Sequence, residues 1–182
     1  MRAELKGKSE MNIAYTMASG AGGTDLLLAG LAEELKSLGW RTCGTVQINT
    51  KPCDDHRCDM DVKVLPDGPT IRISQSLGRE ARGCRLDPSA LEQTVVAAKN
   101  RLSEGVDILI VNKFGKHEAE GHGFRDLIAD ALESDVPVIV GLNKQNENAF
   151  MEFTQGMATA LNPDQATLLS WIEQAARDAK VA

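Results

Sequence analysis

The hydrophobic positions of this chain follow two patterns, short apolar runs and longer stretches with helical spacing. The short runs predict strands, and the last two are almost free of polar residues, which is typical of strands buried on both faces. These four runs are residues 13–17, 40–48, 106–111 and 136–142. Apolar residues three and four positions apart predict helices with one buried face. Five helices are predicted. The first ends near Gly39, and the other four are residues 88–102, 124–133, 146–156 and 163–180.

The alternation of strands and helices predicts an α/β fold of three layers, with a mostly parallel sheet between helices. A hairpin interrupts this order, because residues 60–65 and 70–74 alternate apolar and polar side chains around Pro66-Asp67-Gly68. We place this hairpin at one edge of the sheet as an antiparallel insertion. Residues 1–11 are polar and are expected to form a disordered leader, and residues 12–182 a single domain.

A loop of small residues, 18–24, joins the first predicted strand to the first helix and reads ASGAGGT. Such a loop can hold phosphate groups, because glycine backbone N–H groups and the helix N-terminus attract anions. The nucleotide-binding motif G-x-x-x-x-G-K-[ST] is only partly matched. Gly22 and Thr24 fit it, whereas Met17 replaces the first Gly and Gly23 replaces the Lys. We predict anion binding here without the usual ATPase chemistry, with contacts from Ser19, Gly20, Gly22, Gly23 and Thr24.

Two further loops are expected beside this one, because ligands of open parallel sheets bind at the carboxyl ends of the strands. One is residues 112–123 and the other follows Leu142. Where ATPases carry acidic residues after a buried strand, this chain has Asn112 and Lys113, so support for Mg²⁺ is lost. We predict that Asn112, Lys113 and Lys116 contribute to the anion site. Alternatively, both lysines are solvated surface charges.

The same loop carries two histidines and two carboxylates in the order His117, Glu118, Glu120 and His122. Their spacing does not match the H-E-x-x-H helix of zinc proteases. Glu118 and Glu120 are expected to be exposed, or to pair with Lys116 and Arg125. The alternative is that they replace the missing catalytic acids.

Composition narrows the function classes. A net charge of −6 and a pI near 5.1 disfavour a general nucleic-acid binder. No apolar run is long enough to span a membrane and no signal-peptide pattern is present, so we expect a cytoplasmic protein. Four cysteines in 182 residues do not indicate a secreted disulfide scaffold. An acidic surface with an edge hairpin permits a homodimer without requiring one.

Three of the cysteines and one histidine are candidate zinc ligands at the two ends of the hairpin insertion. Alternatively, Cys58 and Cys84 are buried or reactive thiols, and Cys43 is expected in the core. Arg82 and Arg85 flank Cys84 and are possible contacts for an oxyanion, or they pair with Glu80 and Asp87. The candidate ligands are Cys53, His56, Cys58 and Cys84.

Long motifs identify a resemblance at this point. The segments CDMD, RISQ-x-LG, RGCRLD and VNKFGK-x-EAEG resemble a bacterial domain family often labelled molybdenum-transporter ATP-binding-like. The chain is also similar, over most of its length, to the small P-loop nucleoside-triphosphatases, in which a hairpin follows the second strand. The resemblance implies a P-loop NTPase-like fold and a link to molybdate or to molybdenum enzymes, including a protein partner of that pathway.

These observations favour a non-hydrolytic accessory protein that binds an oxyanion such as molybdate, a nucleotide or a phosphorylated cofactor. A second hypothesis is a weak nucleoside triphosphatase or phosphotransferase that uses Asp25, Glu118 or Glu120. A third is a metal or redox sensor, with zinc as the metal, built on the Cys/His cluster. The three hypotheses predict different ligands: an anion alone, a nucleotide with Mg²⁺, or a transition metal.

Overall fold

The computed structural model describes residues 11–48, 59–75 and 85–181. The predicted leader lies outside these ranges except for Met11. Within the described residues, seven strands form one sheet. They are β1 (Ile13–Thr16), β2 (Thr42–Ile48), β3 (Asp61–Val64), β4 (Thr70–Arg72), β5 (Ile108–Val111), β6 (Val138–Gly141) and β7 (Thr159–Leu161).

The strands lie in the order β4-β3-β2-β5-β6-β1-β7. The five strands from β2 to β7 along this order are parallel, whereas β3 and β4 pair antiparallel at one edge. The predicted mostly parallel sheet with an edge hairpin is therefore confirmed. The order also places β6 between β1 and β5, so that loops distant in sequence become neighbours.

Helices cover both faces of the sheet. They are α1 (Gly23–Ser37), α2 (Pro88–Ser103), α3 (Lys116–Ala119), α4 (Arg125–Glu133), α5 (Glu147–Phe153) and α6 (Gln165–Val181), with a 3₁₀ turn at Lys144–Asn146. The helix α2 begins as its sequence predicts. The Asp87 side chain accepts hydrogen bonds from the N–H groups of Ser89 and Ala90, at 2.9 and 3.2 Å, and Pro88 takes the first helical position.

The central strand β5 shows why an apolar run without alternation predicts burial on both faces. Ile108 and Ile110 pack on one side, against residues of α1 and α6. Leu109 and Val111 pack on the other side, against residues of α2, α4 and α5. All four side chains are fully buried. The three-layer α/β arrangement is thus confirmed, with the sheet between two apolar cores.

Two elements differ from the sequence prediction. The sequence predicts no strand between the last two helices, yet β7 (Thr159–Leu161) lies there and pairs in parallel with β1. The predicted loop 112–123 contains a short helix, α3. Both elements are three or four residues long, too short for their periodicity to be visible in the sequence.

The carboxyl ends of β1, β5 and β6 meet at one edge of the sheet. Thr16 of β1 is in register with Gly141 of β6, and the Phe114 N–H donates to the Gly141 carbonyl at 2.9 Å. A Cβ at Gly141 would lie 2.0 Å from the Asn112 carbonyl oxygen. Only glycine therefore lets the two following segments approach this closely, and the approach creates the floor of a cavity.

Candidate functional site

The glycine loop, residues 18–24, forms one wall of this cavity. Gly20 and Gly22 have φ values of +85° and +76°, a left-handed conformation that favours glycine. The loop is closed from within, because the Ala18 N–H donates to the Thr24 hydroxyl oxygen at 2.9 Å. Among the residues that the structure describes, no acceptor contacts the N–H groups of residues 19–22. These groups are available to an anion at the start of the 15-residue helix α1.

Asn112 holds the floor of the cavity together. Its side chain is buried, with 5% exposure, and both ends of its amide are used. The oxygen Oδ1 accepts from the Gln47 N–H at 2.9 Å, and the nitrogen Nδ2 donates to Asp25 Oδ1 at 2.9 Å. Asn112 therefore connects β2 to the first turn of α1. Its amide is a structural bridge beneath the loop, and its contact with an anion stays a prediction.

The cavity has a volume of about 460 Å³ and opens between three loops. We call it the first cavity. Its volume lies in the range of small-molecule and cofactor sites, roughly 300–1,000 Å³. Among the described residues of the lining, Asp25 is the one carboxylate, and Lys113 and Lys144 are the two cations. The lining residues are Met17, Ala18, Ser19, Gly20, Gly22, Thr24, Asp25, Asn112, Lys113, Gly141, Leu142, Asn143 and Lys144.

The two lysines differ in their partners. Lys144 Nζ donates to Glu147 Oε2 at 2.7 Å, and the hydrogen bond and charge of Glu147 raise the pKa of Lys144. Lys113 is exposed, and among the described residues no carboxylate pairs with it. Lys113 is therefore the cation beside the glycine loop whose charge remains available to a ligand.

The sequence analysis named most residues with polar side chains in this lining, but it missed two. The predicted residues Ser19, Gly20, Gly22, Thr24, Asn112 and Lys113 line the first cavity, and Gly23 follows directly as the first residue of α1. Asn143 and Lys144 were not named. Their signal was their position directly after β6, at the edge where the ends of the parallel strands meet.

Lys116 does not reach the first cavity. It is 81% exposed, pairs with Glu120 at 3.6 Å, and lines a second cavity on the other side of Lys113. The pairing of Glu120 agrees with the prediction. The expectation that Glu118 is exposed, or that its carboxylate pairs with Lys116 or Arg125, is wrong, because Glu118 is 3% exposed and Arg125 donates to its main-chain carbonyl at 3.4 Å.

Glu118 instead accepts backbone hydrogen bonds within its own loop. Its Oε2 accepts from the Gly115 N–H at 2.9 Å, and its Oε1 accepts from the Phe124 N–H at 3.3 Å. The first bond caps the helix α3, since Gly115 is its N-cap residue. Neither Glu118 nor Glu120 lies in the lining of the first cavity. Of the three predicted substitute acids, only Asp25 is there.

A second carboxylate stabilises the same loop from outside. Glu92 Oε1 of α2 accepts from the Gly123 N–H at 2.9 Å and lies 3.0 Å from His117 Nε2. The His117 and His122 rings are 5.2 Å apart, centroid to centroid. In the described part of the chain, no three His, Cys, Asp or Glu residues are arranged to hold a metal ion.

The proposed zinc ligands Cys53, His56, Cys58 and Cys84 lie outside the described residues, as does Arg82. Their role stays a prediction. Arg85 lines the second cavity, and its guanidinium lies 3.7 Å from Asp59 Oδ1. Cys43 is buried in β2, as predicted, and burial raises the pKa of its thiol to about 12. This thiol is a core group rather than a reactive one.

The parallel sheet, the glycine loop and the helix that follows define an α/β protein of the P-loop NTPase-like class. Within this class, the chain belongs to the family described as "Protein of unknown function (DUF2478)", which matches residues 13–171. The resemblance stated from the sequence motifs is thereby confirmed at the level of the family and its P-loop relatives. No solved structure matches the chain.

The chain is also similar in sequence to two curated proteins, each over part of its length. The chain is 35% identical over 147 residues to "Molybdenum import ATP-binding protein ModC 2" of Bradyrhizobium diazoefficiens, which is 81% of this chain and 16% of that protein. It is 28% identical over 67 residues to "Nucleoside-triphosphatase THEP1" of Picrophilus torridus, or 37% of each chain. The chain therefore spans about one sixth of the length of the first relative.

In the described part of the chain, no helix combines the length and the apolar character that a membrane crossing requires.

Proposed function

We propose that the first cavity binds a tetrahedral oxyanion, either free or as a phosphate group of a nucleotide, and does not hydrolyse it. The observation that carries this proposal is the position of Lys113. Lys113, which pairs with no carboxylate among the described residues, lines the same cavity as the glycine loop, in which the N–H groups of residues 19–22 have no acceptor in that part of the chain. A mobile cation and fixed backbone donors together suit an oxyanion.

The small number of acidic side chains near the first cavity, and the hydrogen bond that one of them already accepts, support the absence of hydrolysis. In the described part of the lining Asp25 is the one carboxylate, and its Oδ1 already accepts a hydrogen bond from Asn112. Phosphoryl transfer on this type of site requires acidic residues to hold Mg²⁺ and a group to orient the attacking water. The residues that directly follow β5 are Asn112 and Lys113, which supply neither.

A link to molybdenum metabolism is the finer part of the proposal. It is supported by the name of the Bradyrhizobium diazoefficiens relative, which refers to molybdenum import and ATP binding. We infer an accessory role in the handling of molybdate or in the maturation of molybdenum enzymes. Molybdate is a tetrahedral dianion, so the same donors that hold a phosphate group suit it.

The test is a thermal-shift panel on protein treated with chelator, followed by titration calorimetry for each compound that stabilises. The panel contains molybdate, tungstate, sulfate, phosphate, ATP and GTP, each with and without Mg²⁺. A ligand at one hundred times its dissociation constant stabilises the folded state by about 2.7 kcal/mol. We expect such a shift with at least one of these compounds, independently of Mg²⁺.

The variant Lys113→Gln tests the role of this lysine, and Gly20→Ala, at a residue that lines the first cavity and not the second, assigns the binding to the first cavity. We expect Lys113→Gln to weaken binding at least tenfold, because the unpaired cation is lost. Lys99→Gln is the matched control, since Lys99 is an exposed lysine of α2 that pairs with Asp130 and lines neither cavity. Equal affinity of Lys113→Gln and the natural chain contradicts the assignment. Mg²⁺-dependent phosphate release that Lys113→Gln abolishes contradicts the non-hydrolytic proposal.

A further inference from the structure

The second cavity lies between the hairpin, the start of α2 and the β5 loop, residues 112–123. Its volume is about 500 Å³, which is again in the range of small-molecule sites. It adjoins the first cavity through three shared lining residues, Asn112, Lys113 and Asn143. Nothing in the proposed binding at the glycine loop requires a second cavity of this size.

One side of the second cavity is apolar and preformed. Val62 of β3, Ile73 after β4, Leu91 of α2 and Phe124 before α4 contribute to the lining while remaining 3–7% exposed overall. They belong to the same apolar core, so their positions are fixed by packing. The half-buried Met60 and Leu86 extend this side towards solvent. This side offers an apolar surface to a ligand.

The other side of the cavity is polar and carries excess positive charge. The described residues of its lining include three cations, Arg85, Lys113 and Lys116, and two carboxylates, Glu118 and Glu120. Glu118 is occupied by two backbone N–H groups, and Glu120 pairs with Lys116. The cation without a carboxylate partner among the described residues is again Lys113. A negative group on the ligand therefore has a definite place to bind.

We propose that the second cavity binds a small organic anion with an apolar body. The apolar part lies against the side formed by Val62, Leu91 and Phe124, and the anionic group lies at Lys113. An inorganic oxyanion alone fits this cavity poorly, because it leaves the apolar side in contact with water. This site is separate from the glycine loop, and its existence does not depend on a ligand in the first cavity.

The test uses 2-naphthoate, which combines an apolar ring system with one carboxylate. It is titrated into the ¹⁵N-labelled full chain and followed by amide resonances, with 2-naphthamide as the neutral match and inorganic phosphate as the anion without an apolar body. We expect saturable shifts at Thr45, Gly115 and Phe124, with naphthamide binding at least tenfold more weakly. Phosphate leaves the Thr45 and Phe124 resonances unchanged.

Two variants locate the site. Met60→Glu places a carboxylate on the wall of the second cavity and is expected to weaken naphthoate binding at least tenfold. Lys113→Gln is expected to weaken it at least fivefold and serves if Met60→Glu fails to fold. Lys99→Gln is the control, with unchanged affinity expected.

The proposal is overturned if the shifts do not saturate, if they map elsewhere, or if naphthamide binds as tightly as naphthoate. If the natural chain binds an oxyanion but does not bind naphthoate, only the second site is rejected. The reverse result rejects only the proposed function of the first cavity.

Discussion

The glycine loop and the β5 loop face each other across the first cavity, but they are stabilised in opposite ways. The glycine loop has no charged residue and is closed by its own hydrogen bonds, from the Ala18 N–H to the Thr24 hydroxyl and from the Gly23 N–H to the Gly20 carbonyl. The β5 loop is rich in charge, yet Glu118 and the external Glu92 both bind its backbone N–H groups. Most carboxylates near the site therefore stabilise structure, whereas the uncharged loop keeps its backbone donors available. The number of charged residues in a loop therefore does not measure how many of its hydrogen-bonding groups remain available to a ligand.

The largest expected effect concerns the bridge between the two loops. Asn112→Asp replaces the donor that faces Asp25 by a carboxylate, so two negative charges meet at a buried position. We expect the free energy of unfolding at pH 7 to fall by about 3 kcal/mol. Urea unfolding measures the loss, with Asn100→Asp on the exposed face of α2 as the control. An unchanged midpoint contradicts the bridge.

The same variant has a defined pH dependence. Repulsion makes the folded pair bind a proton more tightly than the unfolded chain does. The stability deficit is therefore small below about pH 4, where an unfolded Asp is protonated, and grows as the pH rises.

We also expect Mg²⁺ to restore part of the stability of Asn112→Asp at pH 7, because the variant brings two carboxylates together. For the natural chain we expect no such response.

A smaller effect is expected inside the β5 loop. Glu118→Ala leaves the N–H groups of Gly115 and Phe124 without their acceptor, at a cost of about 2 kcal/mol. Glu120→Ala, two residues further on, removes an exposed pair and changes stability by less than about 0.5 kcal/mol. Chemical unfolding of both variants measures this difference. Equal losses contradict the distinction between a structural and a solvated carboxylate.

The smallest loss of stability, but the sharpest test of the comparison, comes from two glycines. Gly20 and Gly121 have φ values of +85° and +95°, and an added Cβ meets nothing within 4 Å at either position. Each change to Ala is expected to cost about 1–2 kcal/mol of stability through backbone strain alone. Only Gly20→Ala is expected to weaken oxyanion binding, as measured by calorimetry. Equal affinity of the two variants contradicts the role of the glycine loop.

Sequence reasoning succeeded where the information is local or periodic. The unbroken apolar run at β5 predicted burial on both faces, and Asp87-Pro88 predicted the start of α2 within one residue. The alternation around Pro66 predicted the edge hairpin. Each of these signals is contained in fewer than about twenty neighbouring residues, which is the range over which propensity and periodicity act.

The remaining features depend on which strands become neighbours. Lys144 lines the first cavity because β6 lies between β1 and β5, and no residue near Lys144 encodes that order. Glu118 is buried because the chain turns back after α3, which brings the Phe124 N–H to its carboxylate. The strand β7 exists through pairing with β1, since its three residues have little pattern of their own.

The position of β1 has a consequence for how this chain can change over time. Hydrogen bonds hold β1 on both sides, through β6 and β7, and the Thr16 hydroxyl also donates to the Leu161 carbonyl. The end of the glycine loop that follows β1 is thus fixed by the sheet, and its other end forms the start of α1. Substitutions in the loop can then exchange one ligand or reaction for another while the architecture persists. For protein engineering, we expect this edge of the sheet to accept a phosphate-binding loop in place of residues 18–24 without a change of fold.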